Sequence, residues 1–210
     1  MPRAFLETSH CVFATAPGLG REQALLAAAR LHVRPALLTA PLPCCLLVTN
    51  EVTEARALLD DAKAVGVDAW VVAGADVRAT DQATRVTLGE GVVDFTTATR
   101  VRRVTFARLA AYVDLRWKLP SAEARVVVLV PDDARPLLVK PEALEVDGPS
   151  RQGALLKLLT DLQQAALARA REATLVHVGQ PQQVNVPPEV PAGVVALALA
   201  EGLRRRPSRR

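Results

Sequence analysis

The chain contains no isoleucine and few aromatic residues, asparagines or cysteines. Its 210 residues include four phenylalanines, two tryptophans, one tyrosine and three cysteines, yet half of the residues are apolar. Its hydrophobic cores must therefore be packed from alanine, valine and leucine. Three cysteines are too few for a disulfide scaffold, and their odd number leaves at least one thiol free. The composition predicts a globular protein of a reducing compartment, and we expect a cytoplasmic location.

Long apolar runs are also missing from the sequence, and no secretory leader is expected. Residues 34–50 are interrupted by three prolines, and residues 194–203 form a short run interrupted by Glu201. A membrane helix needs about 20 consecutive apolar residues. The first residues lack the basic region and unbroken apolar stretch of a signal peptide. The sequence therefore predicts neither a membrane span nor a secretory signal.

The sequence also lacks recognisable catalytic and metal-binding motifs. A serine or cysteine nucleophile needs a base within hydrogen-bond reach, and none of the three histidines stands in a recognisable motif. Cys44 and Cys45 are neighbours on a predicted strand, so their side chains point to opposite faces and cannot easily ligate one ion. Together with Cys11 they are interpreted as small core residues. The sequence predicts no catalytic residue, metal site or cofactor, and hence a protein that is not an enzyme.

The positive charge of the chain is concentrated at its C-terminus. The formal net charge is +4, and without five C-terminal arginines it would be −1. These residues are Arg204, Arg205, Arg206, Arg209 and Arg210. Such a tail can bind nucleic acid or anionic lipid through counterion release. The alternative is a disordered, solubilising end, because the chain contains no recognised nucleic-acid-binding motif.

The first 75 residues alternate between strand and helix patterns. Short apolar strands are predicted at 11–16, 44–49 and 67–73, with amphipathic helices at 21–31 and 51–65 between them. Both connections are long enough to be helical, so a small sheet covered by helices is expected. Residues 1–75 are therefore predicted to form a β-α-β-α-β module.

From residue 84 onwards, short alternating runs are separated by turn residues every 8 to 12 positions, a pattern typical of all-β structure. Strands are predicted at 85–89, 92–96, 101–106, 109–119, 125–130, 136–140 and 143–146, followed by an amphipathic helix at 151–171. Residues 84–172 are thus expected to form a seven-stranded antiparallel barrel closed by a helix. Residues 173–210 are predicted to be a proline-rich linker, a short helix at 193–203 and the basic tail. The predicted fold class is α+β.

The order of seven strands and one amphipathic helix resembles a pleckstrin-homology-like barrel. The stretch GEGVVDFTTATRVRRVTFARLAAYVDLRWKL, residues 89–119, is similar to the middle strands of that fold. The preceding module is similar to small ferredoxin-like units. Together they resemble two-module proteins from bacteria with GC-rich genomes. By analogy, this resemblance implies a binding or scaffolding role.

One group of basic residues in the predicted barrel is a candidate binding site. If the apolar side chains of strand 109–119 point inward, then Asp114, Arg116 and Lys118 point outward. Arg103 on the preceding strand is expected to join them. Arginine presents a bidentate fork to phosphates and carboxylates, so this group could hold phosphate or an acidic partner. The alternative is a solvated face that Asp114 partly neutralises.

These observations favour a non-enzymatic cytoplasmic interaction or adaptor protein that holds a protein partner. The alternative is a binder of nucleic acid or anionic surfaces through the arginine tail. A third hypothesis, an enzyme of unfamiliar type, requires a pocket that gathers Tyr112, Trp117, His32 or the carboxylates. The sequence leaves the identity of the partner and the oligomeric state open.

Overall fold

A computed structural model of the chain describes residues 2–16, 18–40, 42–89, 92–118, 123–146, 150–167, 171–178 and 190–206. These residues form six α-helices and eleven strands. The helices are α1 Pro2–Thr8, α2 Arg21–Arg30, α3 Pro35–Thr39, α4 Val52–Ala64, α5 Arg151–Leu167 and α6 Ala192–Arg205. The strands are β1 His10–Thr15, β2 Cys44–Thr49, β3 Asp68–Ala73, β4 Asp81–Gly89, β5 Val92–Thr97, β6 Val101–Val104, β7 Leu109–Lys118, β8 Glu123–Pro131, β9 Leu137–Val139, β10 Glu145–Val146 and β11 Arg171–Val178.

The first module is a three-stranded antiparallel sheet in the order β2-β1-β3. One face is covered by α2 and α4, whose buried residues on this side are alanines that allow the helices to approach the strands closely. Gly66 follows α4 with φ of 74°, a conformation that glycine adopts without strain, and so ends the helix as the sequence indicates. The predicted small sheet covered by helices is confirmed. Helix α1 was not predicted, because seven residues are too few to display a helical period.

The second sheet is mixed and open. Seven strands follow the order β11-β7-β8-β9-β4-β5-β6, and β10 pairs with β4 outside this path. Strands β9 and β10 run parallel to β4, and β11 runs parallel to β7. The described strands end at β11 and β6 without pairing to each other, so the predicted closed antiparallel barrel is wrong. A period of two shows which side chains share a face, but it carries no information on strand direction or partner.

Two helices cover the two faces of this mixed sheet. Leu158, Leu159 and Leu162 of α5 pack into a core with residues such as Phe95 and Leu129. The other face packs against α6, which contacts β7 and β8 on one side and β1 and β3 of the small sheet on the other. Residues 193–203 of α6 are all buried, as expected for a helix that is apolar on nearly every side. The predicted short C-terminal helix is therefore the element that joins the two sheets.

A buried carboxylate fixes the C-terminal end of α6. Glu201 has 0% of its surface exposed. Its Oε1 accepts hydrogen bonds from Arg204 Nε at 2.8 Å and Nη2 at 2.5 Å, and its Oε2 accepts one from Arg78 Nε at 3.3 Å. Arg78 lies between the sheets in sequence and also donates Nη1 to the Ala134 carbonyl at 2.8 Å. Because a buried charge is tolerated only when it is paired, this network ties the last turn of α6 to the connection between the sheets.

Gly202 of α6 lies close against the small sheet. A Cβ atom at this position would lie 2.8 Å from both Trp70 Nε1 and Val72 Cγ2. Alanine is favoured over glycine within a helix by about 1 kcal/mol, but the overlap here forces neighbouring atoms to move. We expect Gly202→Ala to lower the free energy of unfolding by about 2 kcal/mol, measured by urea denaturation.

Gly153→Ala is the matched control, because Gly153 is exposed on α5 and its added Cβ would meet only Ser150 Oγ, at 3.4 Å. The same substitution is expected to raise the free energy of unfolding there by about 0.5 kcal/mol. Equal effects at the two positions would contradict the close packing of α6 against β3.

Candidate functional site

The structure separates the basic residues that the sequence groups together. Arg103 lies on β6, whereas Arg116 and Lys118 lie on β7. Strands β8, β9, β4 and β5 intervene in the hydrogen-bonded order, and a 3₁₀ turn at Phe106–Arg108 connects β6 to β7. Arg116 is exposed as predicted, and the side chain of Lys118 lies outside the described residues. Strand pairing therefore does not bring Arg103 to the other two, and a shared binding role for the three stays a prediction.

Asp114 does not neutralise a solvated face. It is 0% exposed, and its two carboxylate oxygens accept hydrogen bonds from Arg125 Nε at 2.7 Å and Nη2 at 2.5 Å. This pairing raises the pKa of Arg125 above its ordinary value. The expected outward position of Asp114 is thus wrong. A charge can occupy the buried centre of β7 because Arg125 on the adjacent strand supplies a bidentate partner.

The three cysteines lie in the cores. Cys44 belongs to the cluster under α2 and α4, and Cys11 and Cys45 belong to the cluster around α6, so adjacent residues on β2 do face opposite sides. Burial raises the pKa of Cys11 and of Cys44 to about 12. The thiolate is the reactive form, so these thiols are chemically inert near neutral pH. Across the described part of the chain, no group of three or more His, Cys, Asp or Glu side chains is arranged to hold a metal ion.

The first three arginines of the predicted basic tail have partners within the fold. Arg204 binds Glu201, Arg205 Nη1 lies 3.2 Å from Asp76 Oδ2, and Arg206 Nη2 lies 2.5 Å from Asp68 Oδ2. The Arg206 guanidinium also stacks 3.9 Å from the centroid of the Trp70 ring, a cation–π contact. Arg209 and Arg210 lie outside the described residues. Binding of nucleic acid through this tail stays a prediction.

None of the helices that the structure describes is both long and apolar enough to cross a membrane.

The free edge of β6 is the surface that best fits a binding role. Strand β6 ends the described strand order and pairs with β5 alone. In the hairpin between them, Thr97 N donates to the Arg100 carbonyl at 2.8 Å. Hydrogen-bonded and non-hydrogen-bonded pairs alternate along an antiparallel ladder. Arg102 and Val104 therefore bond to β5, while the N–H and C=O groups of Val101 and Arg103 point away from the sheet.

The side chains on this edge alternate in the same way. Val101 is 62% exposed, and the side chain of Arg103 is 66% exposed. Val104 is buried in the core that α5 covers. An exposed apolar residue and an exposed cation therefore lie on the outer face of β6, beside two pairs of outward backbone groups. This arrangement is suited to receiving a further strand.

A buried ion pair holds the edge in position. Arg102, 9% exposed, donates Nη1 to Asp81 Oδ2 on β4 at 2.6 Å and Nη2 to the Arg135 carbonyl at 3.0 Å. Arg100 Nη2 reaches the same Asp81 oxygen at 3.0 Å. Burial acts to raise the pKa of Asp81, but the hydrogen bonds from Arg102 and Arg100 outweigh it and hold the pKa below its usual range. Strand β6 is thereby tied across β5 to β4.

Arg103 is held more loosely at the surface. Its Nε and Nη2 donate to the two oxygens of Asp94 on β5, at 2.8 and 2.7 Å. This hydrogen bonding lowers the pKa of Asp94, against a smaller opposing effect of burial. The closed barrel predicted from the sequence has no edge at residues 101–106, whereas the structure has one at β6. The pair of arginines in VRRV indicates an edge strand, since charged side chains are typical of such strands.

Comparison of the chain with protein-family models, curated proteins and solved structures found no match.

The ion pair at Asp81 generates a pH-dependent prediction. The pKa of Asp81 in the folded state lies below the ordinary value of 3.8, so its contribution to stability is complete above about pH 4 and is lost as pH falls through the folded pKa. Asp81→Asn is expected to lower the free energy of unfolding by about 3 kcal/mol at pH 7. In urea denaturation, the difference between the free energies of unfolding of wild type and variant should become smaller below pH 3.8.

Asp94→Asn on the adjacent strand is the matched control. Its partner Arg103 is exposed, so solvent screens the pair and the loss of stability should be much smaller than at Asp81. If Asp81→Asn lowers the free energy of unfolding by the same amount at pH 7 and below pH 3.8, the pairing with Arg102 does not hold the edge.

Proposed function

We propose that the protein is a non-enzymatic interaction module that binds an extended segment of a partner protein along the free edge of β6. The observation that carries the proposal is the outward direction of the Val101 and Arg103 backbone groups at the end of the sheet. In strand addition, main-chain hydrogen bonds supply affinity, and alternate side chains supply specificity. Four N–H or C=O groups and two exposed side chains are available for this purpose.

The charges around the edge favour an acidic partner segment. Arg100 and Arg103 are exposed beside Asp81 and Asp94, and Arg108 is exposed in the turn that follows β6. Among the described residues, Arg108 has no carboxylate partner within ion-pair distance. A strand that places an apolar side chain near Val101 and carboxylates near Arg103 and Arg108 matches this surface.

A second copy of the chain fits the edge poorly. Antiparallel pairing through the outward groups of β6 places Arg102 opposite Arg102 when Val101 faces Arg103 of the other copy, and it places Arg103 opposite Arg103 in the next register; like charges directly opposite one another are destabilising. Arginine on an edge strand also suppresses uncontrolled association between sheets. A purely protective role and a binding role are distinguished by whether the edge accepts an acidic strand.

A fluorescein-labelled peptide of eight alternating valine and glutamate residues provides the test. We expect it to bind the wild-type protein in a fluorescence anisotropy titration, and a valine–lysine peptide to bind at least tenfold more weakly because of charge repulsion. Bound peptide should slow amide hydrogen exchange at Val101 and Arg103. Exchange at Arg102 and Val104 should change little, because these amides already bond to β5.

Two substitutions refine the same experiment. Val101→Pro removes an outward N–H without removing a hydrogen bond to β5. Arg103→Glu reverses the exposed charge. Each substitution should raise the Kd of the valine–glutamate peptide at least tenfold. Arg85→Glu, on the interior strand β4, is the matched control for charge reversal and should change Kd less than twofold. Equal losses for Arg103→Glu and Arg85→Glu, or unchanged exchange at Val101, would refute strand addition.

A further inference from the structure

A cavity of about 140 Å³ lies where the two sheets meet, apart from the β6 edge. Its apolar wall contains Leu6 of α1, Val77, Leu138 of β9 and Leu197 of α6. Each of these side chains is buried in the core cluster around α6. The cavity is thus bounded by α1 and the segment after β3, by β4 and β9 of the mixed sheet, and by α6. Ligand sites occur preferentially at junctions of this kind.

The polar wall of the cavity is formed by Arg78, Thr80 and Gln82. The guanidinium of Arg78 is already bound to Glu201 Oε2 at 3.3 Å and to the Ala134 carbonyl at 2.8 Å. Thr80 Oγ1 donates to the Arg78 carbonyl at 3.2 Å, so its lone pairs stay available to accept a hydrogen bond. Gln82 is exposed and adds a carboxamide that both donates and accepts.

Charge and volume restrict the class of ligand. The Nε, Nη1 and Nη2 atoms of Arg78 already donate to Glu201, Ala134 and Pro131, and Glu7 brings a carboxylate to the lining, so the lining favours an uncharged ligand over an anionic one. An apolar cavity of about 150 Å³ accommodates one benzene molecule. The cavity here, at about 140 Å³, is close to that volume. The lining therefore suits a small molecule with an apolar body and one uncharged polar group.

We propose that this cavity binds an uncharged molecule of about seven non-hydrogen atoms, with a ring or branched chain against the leucines and a hydroxyl or amide at Thr80 and Gln82. A ligand of this size binds with a Kd of roughly a millimolar. Since Leu197 belongs to α6, occupation also stabilises the junction between the sheets through mass action. This site is independent of the edge of β6.

Phenol is the probe, because its ring matches the cavity and its hydroxyl can donate to Thr80 Oγ1. In a titration followed by methyl NMR, we expect saturable shifts at Leu6, Leu138 and Leu197, with a Kd of roughly a millimolar. Benzoate, similar in shape but negatively charged, should bind at least tenfold more weakly. Wild-type methyl shifts that do not saturate, or that appear equally at the exposed Leu156, would overturn the proposal.

Variants distinguish phenol binding in the cavity from binding at the protein surface. Leu197→Phe fills the cavity and should abolish the saturable shifts at Leu6 and Leu138, while Leu156→Phe, at a side chain 60% exposed on α5, should leave them unchanged. Thr80→Val keeps the shape and removes the acceptor, so the Kd for phenol should rise about fivefold. If Leu197→Phe does not fold, Thr80→Val decides: unchanged phenol affinity in that variant would exclude the assigned orientation and overturn the proposal.

Discussion

The structure depends on the burial of α6 between two sheets that share no strand. Every residue from 193 to 203 is buried, and the helix contributes to a core that contains side chains from both sheets. The carboxylate of Glu201 at its end has no contact with solvent and must be matched by arginines. Arg204 belongs to the same helix, but Arg78 comes from the connection between the sheets. The pairing therefore selects one position for α6 relative to both sheets.

The mixed sheet leaves two kinds of surface for recognition. Among the described strands, those inside the sheet bond to neighbours on both sides, so the backbone groups still able to bond are mainly those of the edge strands. At β6 the inward Arg102 is fixed by Asp81, so the outward groups of Val101 and Arg103 are held in an extended conformation before any partner binds. The cavity beside Arg78 arises differently, because aliphatic side chains from α1, β9, α6 and the connection before β4 meet there without filling the space.

Local patterns located most elements of this fold. The strand predicted at 44–49 agrees with β2, and the helix predicted at 193–203 lies within α6. These predictions succeeded because hydrophobic period and turn residues are properties of a few consecutive positions. The closed barrel was wrong because β4 pairs in parallel with β9, more than 50 residues later in the chain. Asp114 was placed in solvent because no local pattern reveals that Arg125 will lie beside it.

The sequence by itself determined the fold class, the positions of most helices and strands, and the opposite faces taken by neighbours such as Cys44 and Cys45. The tertiary structure alone decided that β6 is an edge and that the first arginines of the tail pair with Glu201, Asp76 and Asp68. The physical reason is the range of the interactions. Side-chain periodicity acts between adjacent residues, whereas the Arg78–Glu201 pair joins positions 123 residues apart and forms only when the whole chain has folded.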